Sequence, residues 1–302
     1  MPETVVNNND LEIFDMHRSL LFAIAYRMVG GVMDAEDIVQ EAWLRWLHRD
    51  ETGVRSPKAY LSAIVTRLSI DHLRAAHIRR ETYVGSWLPE PLLIEREPDV
   101  ADVAARHESL SMAFLVLLEN LTPVERAIFL LHDVFAYDFH EIAGIVGKNE
   151  ANCRQLARRA RQQIQAGRPR FDPSPERQDR LTRQFIAACT NGDLSGLLAA
   201  LAADATLWAD SGGKARAPLR PINGAERIAA FLLGTLRKTE EPISVRRVMV
   251  NGQPGLLDLV GESVRTVIAL DIVEGQIQAI RLIANPDKLR AVIVSPEGSG
   301  IG

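Results

Sequence analysis

The chain is poor in cysteine, with only Cys153 and Cys189 among 302 residues. Two cysteines in different predicted domains exclude a disulfide framework, and a reducing cytoplasm fits. No apolar run is long enough to span a bilayer, and the N-terminus lacks a signal-peptide pattern, so no membrane association is expected. A net charge of −4 argues against a protein that coats nucleic acid indiscriminately. Histidine and tyrosine are missing from the second half: all seven histidines and all four tyrosines lie at or before His140. Beyond that point the usual neutral-pH base is absent, and metal ligands reduce to carboxylates and Cys189. Neither a metal nor a cofactor is expected.

What is present is an ordinary globular composition, 47% hydrophobic and 25% charged, long enough for two or three small domains. Charge is segregated along it. Lys148 to Arg170 holds seven cations against one acid, Glu150, whereas Asp34 to Glu41 holds four acids and no cation. Such asymmetry predicts one surface for DNA and another for a different partner.

The fold class expected is multidomain: two all-α domains followed by an α+β domain. In the first domain, Leu20, Leu21, Ile24, Ala25 and Met28 recur at helical spacing, and Gly30-Gly31 stops that helix. Asp34 reads as the cap of the next helix, with Asp37 three residues on. Ser56-Pro57 opens a third, whose apolar face is Tyr60, Leu61, Ile64, Val65 and Leu68. Pro89, Pro91 and Pro98 then break periodicity. Thr122-Pro123-Val124-Glu125 is a capping box starting a helix to about Val134, and Asn149 is a plausible cap of the helix that ends this domain. Further on, helices over Glu176–Asn191 and Ala225–Lys238 precede alternating runs with hairpin signals at Asn251-Gly252 and Glu274-Gly275, which predict an antiparallel sheet. The boundaries expected are 1–92 and 107–168 for the helical domains, 177–292 for the α+β domain, linkers at 93–106 and 169–176, and a disordered tail at 293–302.

Phe139 to Arg161 reads as a helix-turn-helix. Phe139, Ile142, Ala143 and Val146 pack the first helix, Gly147 permits the turn, and Cys153, Leu156, Ala157, Ala160 and Ile164 pack the second. The outer face offers Asn149, Asn152, Arg154, Gln155, Arg158, Arg159 and Arg161. Asn152, Arg154 and Gln155, near the start of the second helix, are placed to read base edges; Arg158, Arg159 and Arg161 suit phosphates.

Two other helices carry patterns. In DAEDIVQEAWLRW, Ala35, Ile38, Val39, Ala42 and Trp46 face inward, while Asp37, Gln40, Glu41 and Leu44 share an exposed stripe suited to a basic, partly apolar protein helix. In the third helix Arg67, Asp71 and Arg74 lie on one side, followed by His77, Arg79 and Arg80, with Tyr83 and Trp87 just beyond. Cations beside aromatics suit single-stranded DNA; an Arg–Asp–Arg ion-pair stripe with Trp87 in the core is the plainer alternative.

These three segments, in this order, resemble the extracytoplasmic-function sigma factors of bacterial RNA polymerase. DAEDIVQEAWLRW resembles their region 2.2, which implies that Asp37, Gln40, Glu41 and Leu44 dock on the β′ clamp helices of core polymerase. SPKAYLSAIVTRLSIDHLRAAHIRR resembles regions 2.3 and 2.4, which implies −10 element contacts by Arg67, Asp71, Arg74, His77, Arg79 and Arg80, with Arg67 standing where the family usually carries Asn. The helix-turn-helix and its preceding helix resemble region 4, implying −35 element and β flap contacts. RRETYVGSWLPEP looks like the linker signature of the SigJ-like (ECF41) subgroup, which carries a C-terminal SnoaL-like domain, an α+β cone of the NTF2-like kind. That subgroup has two further motifs, matched here by Asp210-Ser211-Gly212-Gly213-Lys214 and Asn285-Pro286-Asp287-Lys288-Leu289. The resemblance implies that Asp210, Gly212, Gly213, Lys214, Asn285, Pro286, Asp287 and Lys288 belong to an extension regulating the sigma factor in cis.

Some SnoaL-like relatives are enzymes. Here Asp204, Asp210, Asp258 and Asp271 are the acid/base groups available, and nothing in the sequence pairs them. Structural and regulatory packing is therefore the preferred role, with a small-molecule ligand in that domain left open. Two alternatives remain at this stage: a ligand-sensing helix-turn-helix regulator, and a DNA-binding protein fused to an active SnoaL-like enzyme.

Overall fold

The computed structural model describes residues 8–49, 54, 56–80, 83–94, 109–167, 174–238 and 243–292, with side chains at 77–80 and 94 left aside. They fall into two compact units. One joins the described residues up to 80 with those of 114–167. The other joins 83–94 and 109–113 with 174–292.

In the first unit, α1 (Asn8–Val29), α2 (Val32–Leu47) and α3 (Pro57–Arg80) pack on one another. Gly30 ends α1 at φ +75, a conformation that side chains resist. Its neighbour Gly31, and not Asp34, is the N-cap of α2, which starts at Val32, three residues earlier than a cap at Asp34 predicts. Asp34 lies in the first turn, where a carboxylate still opposes the helix dipole favourably. Ser56 caps α3 as expected, its Oγ accepting from the Ala59 N–H at 3.3 Å. The buried side of α3 is more polar than its pattern predicts: Ser62, Thr66 and Ser69 are buried beside Leu61 and Val65. The small side chains let helices approach α3 on a second side.

Those helices come from the later segment. α4 (Met112–Leu118) leads to α5 (Pro123–Phe129), which opens with the predicted capping box between Thr122 and Glu125 and ends in a π turn at Leu130–Val134. α6 (Phe139–Val146) and α7 (Glu150–Gly167) follow. α3 packs on α5 and α6, so the two predicted helical domains form one body. Arg126 on α5 binds that body together. It is 3% exposed, and its guanidinium donates to the Leu118 carbonyl at 2.9 Å, to Glu119 at 2.6 Å and to the carbonyl of Met28 on α1. Burial lowers its pKa from the ordinary arginine value, while two carbonyls and the Glu119 carboxylate favour the charged form.

The second unit is α+β. Helices α8 (Pro175–Asn191), α9 (Leu194–Ala200) and α10 (Ala225–Arg237) cover one face of a sheet. The sheet contains β1 (Leu93–Ile94), β2 (Leu201–Asp210), β3 (Ile222–Asn223), β4 (Ile243–Val250), β5 (Gln253–Val260), β6 (Ser263–Val273) and β7 (Gln276–Ile283), in the order β1-β4-β5-β6-β7-β2-β3. A four-residue helix, α11 (Pro286–Leu289), follows β7. The two predicted hairpin turns are present, with positive φ at both central residues: Asn251 (+53) and Gly252 (+72), Glu274 (+50) and Gly275 (+78). The expected antiparallel sheet is in fact mixed, because β2 lies parallel to β7. The β4–β7 meander is antiparallel throughout, and its last strand returns in the direction that β2 already runs.

The domain boundaries differ from those expected. Residues 83–92, assigned to the first domain, belong with the third. β1 pairs with β4 (Leu93 opposite Val250), and the Asn251 side chain accepts from the Leu92 N–H at 3.0 Å and donates to the Leu110 carbonyl at 3.1 Å. The dividing points therefore move from 92/93 and 106/107 to 82/83 and 113/114. The predicted tail at 293–302 lies outside the described residues.

The Arg126 arrangement makes a stability prediction. Arg126→Ala leaves Glu119 and two carbonyls without their donor, at a cost of about 3 kcal/mol. Thermal denaturation followed by circular dichroism should show a melting temperature lower by roughly 6–12 °C. An unchanged melting curve would remove Arg126 from its structural role.

Candidate nucleic-acid interface and motif cluster

The helix-turn-helix is locally determined. Asp138 and Glu141 form a reciprocal capping box at the start of α6, in addition to the predicted turn and cap. Gly147 ends α6 at φ +67, the left-handed turn predicted. Asn149 caps α7 by accepting from the Asn152 N–H at 2.8 Å. Cys153, Ala157, Ala160 and Ile164 are buried, as expected, while Leu156 is half-buried; Ile145 joins Ile142 in the α6 core where Phe139 was expected.

The other face of α7 presents Asn152, Arg154, Gln155, Arg158 and Arg159, all exposed. Arg154 is pre-positioned: it donates to Glu150 at 2.8 Å and lies 5.3 Å from the centre of the Phe139 ring. Arg161 is turned aside and donates to Asp133 in the π turn at 2.7 Å. The pair is partly exposed, so phosphate can compete for the guanidinium.

On α2 the inward residues Ala35, Ile38, Val39, Ala42 and Trp46 are all buried. Asp37, Gln40 and Leu44 are exposed in the stripe the spacing predicts, and Glu41 is half-exposed beside Arg45 at 2.9 Å. An exposed leucine among acids makes a surface for a basic partner with an apolar centre.

The candidates on α3 divide. Asp71 and Arg74 are exposed and pair with each other at 3.2 Å. Arg67 is engaged elsewhere: its Nε donates to the Ile145 carbonyl and its Nη2 to the Gly144 carbonyl, each at 2.9 Å, at the C-terminus of α6. His77, Arg79 and Arg80 belong to α3, but their side chains lie outside the described residues. Tyr83 and Trp87, read as stacking partners for DNA beside these cations, are instead built into the second unit.

There they meet both remaining motifs. The Asp210 carboxylate is fully buried and receives four donors: the Tyr83 hydroxyl at 2.5 Å, the Leu88 N–H at 2.8 Å, the Lys288 ammonium at 2.7 Å and the Gly212 N–H at 3.1 Å. Lys288 also donates to the Leu88 carbonyl and lies 4.3 Å from the Trp87 ring centre and 5.3 Å from that of Tyr83. Aromatic faces and a carboxylate together offset the desolvation of its charge. Asn285 donates to the Tyr83 hydroxyl at 2.9 Å, and Lys214 pairs with Asp287 at the surface. Pro286 is the first residue of α11, capped by Asn285. Glycine is required at two points. At Gly212 (φ +56) a Cβ would stand 2.5 Å from the Asn285 amide, and at Gly213 (φ +72) 3.2 Å from Val84. Asp210, Gly213, Asn285 and Lys288 thus meet the 83–88 segment directly, with Gly212 hydrogen-bonded to Asp210 and Lys214 to Asp287 beside them.

Asn251, expected only as a turn residue, is also an anchor: its side chain reaches Leu92, 159 residues away. The other aspartates weighed as acid/base groups have polar partners: Asp204 accepts from Gln278 at 3.1 Å, Asp258 pairs with Arg265 at 2.6 Å, and Asp271 pairs with Arg281 across buried sheet.

Burial, followed by the hydrogen bond to Asp210, pushes the Tyr83 hydroxyl well above the ordinary tyrosine value. A raised folded-state value means a contribution fully present below the unfolded value, about 10, and lost as pH rises beyond it. Urea unfolding should therefore weaken more steeply above about pH 10 in the native chain than in Tyr83→Phe; equal slopes would remove the hydroxyl from the cluster. Asp210→Asn leaves the Lys288 ammonium buried without a counter-charge, at a cost of about 3 kcal/mol. The readout is exposure of Trp87, seen as quenching of its fluorescence by iodide, and undiminished protection would exclude the arrangement.

Comparison with known proteins converges with this geometry. A model of Sigma-70 region 2 matches residues 13–78, and one of Sigma-70, region 4 matches residues 111–164. Over 290 residues the chain is 40% identical to the ECF RNA polymerase sigma factor SigJ of Mycobacterium tuberculosis, covering 91% of both. It is 34% identical over 284 residues to the probable ECF RNA polymerase sigma factor SigI of that species, covering 91% of this chain and 94% of the other. The crystal structure of Mycobacterium tuberculosis SigJ aligns with a TM-score of 0.73 at 34% identity, covering 92% of this chain and 98% of that one. With two sigma-70 regions on the helices that carry the acidic stripe and the basic helix-turn-helix, and a relative alike along nearly its whole length, the chain belongs to the extracytoplasmic-function sigma factors, non-enzymatic proteins of transcription initiation.

Proposed function

We propose that this sigma factor is regulated in cis by its third domain, acting through the connection between its two promoter-reading regions. In this reading it works in the cytoplasm and needs no cofactor. Asp37, Gln40, Glu41 and Leu44 dock on the β′ clamp helices of core polymerase, and region 4 also meets the β flap. Asp71, Arg74, His77, Arg79 and Arg80, with Arg67 once released, serve the −10 element. Asn149, Asn152, Arg154, Gln155, Arg158, Arg159 and Arg161 serve the −35 element. The support on the DNA side is the exposed basic face of α7 and the pre-positioned Arg154.

The observation that carries the regulatory part is the Asp210 cluster. Tyr83 and Leu88 lie in sequence between α3 and α4, the connection joining the two regions that meet DNA. Asp210 and Lys288 of the third domain hold that connection by hydrogen bonds and aromatic contact. A tether's free length sets the effective concentration at which its second module meets its site. Holding or releasing 83–88 therefore changes how readily both promoter elements are engaged together. The interior of the third domain under its helices is lined by apolar residues such as Leu207, Leu256, Leu270 and Ile280, which suits packing better than catalysis.

Run-off transcription with purified core polymerase tests the whole reading. The full-length double variant Tyr83→Phe, Lys214→Ala loosens the cluster and should change promoter-specific output at a fixed amount of sigma factor; unchanged output overturns regulation in cis. Glu41→Lys should weaken binding to core polymerase about tenfold; undiminished binding removes the stripe as the docking site. Replacing Arg158 and Arg159 together by alanine should reduce the slope of log affinity for promoter DNA against log salt by about 1.8; an unaltered slope places the phosphate contacts elsewhere.

A further inference from the structure

We infer that Arg67 is a latch, holding the −10-reading helix against the helix-turn-helix, and that it must leave its acceptors before both promoter elements are met. The inference rests on the promoter reading above but is observed independently of it. Carbonyls in the last turn of a helix have no intrahelical donor and carry the negative end of its dipole. At the end of α6, the Gly147 and Lys148 N–H groups both return to the Ala143 carbonyl. The neighbouring Gly144 and Ile145 carbonyls are met by the Arg67 guanidinium from α3, each at 2.9 Å. A planar two-pronged cation suits two adjacent carbonyls; asparagine is too short to supply either the charge or the reach. A second contact lies deeper along the same helix pair. The hydroxyls of Ser62 on α3 and Tyr137, just before α6, are 2.7 Å apart and buried. Lys58, one turn earlier on α3, lies 5.1 Å from the Tyr137 ring centre.

This packing is incompatible with simultaneous readout of two elements. By their names they lie roughly 25 base pairs apart, or about 85 Å along B-form DNA. α3 is 24 residues long and α7 is 18, or about 36 Å and about 27 Å at the helical rise. With α3 in contact with α6, the two DNA-facing surfaces cannot be separated by the distance between the elements. The closed form is therefore the form of the free sigma factor. Opening exchanges the Arg67 acceptors from carbonyls to water or DNA phosphate, and the side chain's exposure makes that exchange accessible.

The experiment measures distances by double electron–electron resonance in the full-length chain. Nitroxides are placed at Glu12→Cys on α1 and Gln163→Cys on α7, both exposed positions, with Cys189→Ser to remove the half-buried thiol. The parent should give one short distance when free, and a longer one when bound to core polymerase and a promoter duplex. Arg67→Ala should raise the ratio of long to short distance in the free chain about fivefold, less than a fully buried charged bond would give. Arg67→Lys, which keeps the charge but one prong only, should fall between. Tyr137→Phe, which keeps the ring and loses the buried hydroxyl, should shift the ratio in the same direction. A distribution in Arg67→Ala identical to the parent's overturns the latch, as does a short distance persisting in the promoter complex. Failure to form any promoter complex overturns the promoter reading alone, because the free-chain distances decide the latch by themselves.

Discussion

A carboxylate that is wholly removed from water must be matched group by group, and Asp210 sets that condition for the third domain. Its four donors come from three separate stretches of chain: the 83–88 segment, its own loop, and the helix after β7. Withdrawal of Lys288 would leave the carboxylate without its counter-charge, and withdrawal of either other stretch would leave it short of hydrogen-bond donors. The glycines at 212 and 213 follow from the same condition, since the loop must press against Asn285 and Val84 to close the cluster. A short motif of modest appearance thus answers an electrostatic requirement met by residues far apart in sequence.

In the first unit charge does a similar task with a different outcome. Arg126 is enclosed and fixed, joining α1 to the helices of the later segment. Arg67 makes comparable hydrogen bonds at the surface, where water and phosphate compete for it. One guanidinium maintains the body while the other can let go. Burial, more than the number of bonds, separates a permanent tie from a reversible one.

Much of this was legible beforehand wherever the determinant is local. The Thr122–Glu125 box, the Ser56 and Asn149 caps, the Gly147 turn and the two hairpin turns each rest on residues within a few positions, and each is present. The exposed stripe of α2 follows from helical periodicity alone. What was not legible depends on distant chain. The four-way arrangement of Tyr83, Leu88, Asp210 and Lys288 spans some two hundred positions, with Lys288 reaching back 200 residues to Leu88. Nothing near Arg67 in sequence announces the carbonyls it serves here, which lie 77 and 78 positions on. The missed Asn251 anchor belongs with these, since a turn signal says nothing of what its side chain will hold.

The π turn at Leu130–Val134 makes the spacing of region 4 unforgiving. A π turn accommodates one residue more than an α-helical turn does, and each residue advances a helix by about 100°. Deleting any single position there would let an ordinary helix re-form and swing Asp133 away from Arg161. It would also carry Tyr137 off the line on which it meets Ser62. Substitutions within this turn are survivable in principle, whereas a one-codon deletion would dephase the DNA-facing surface from the body that carries it.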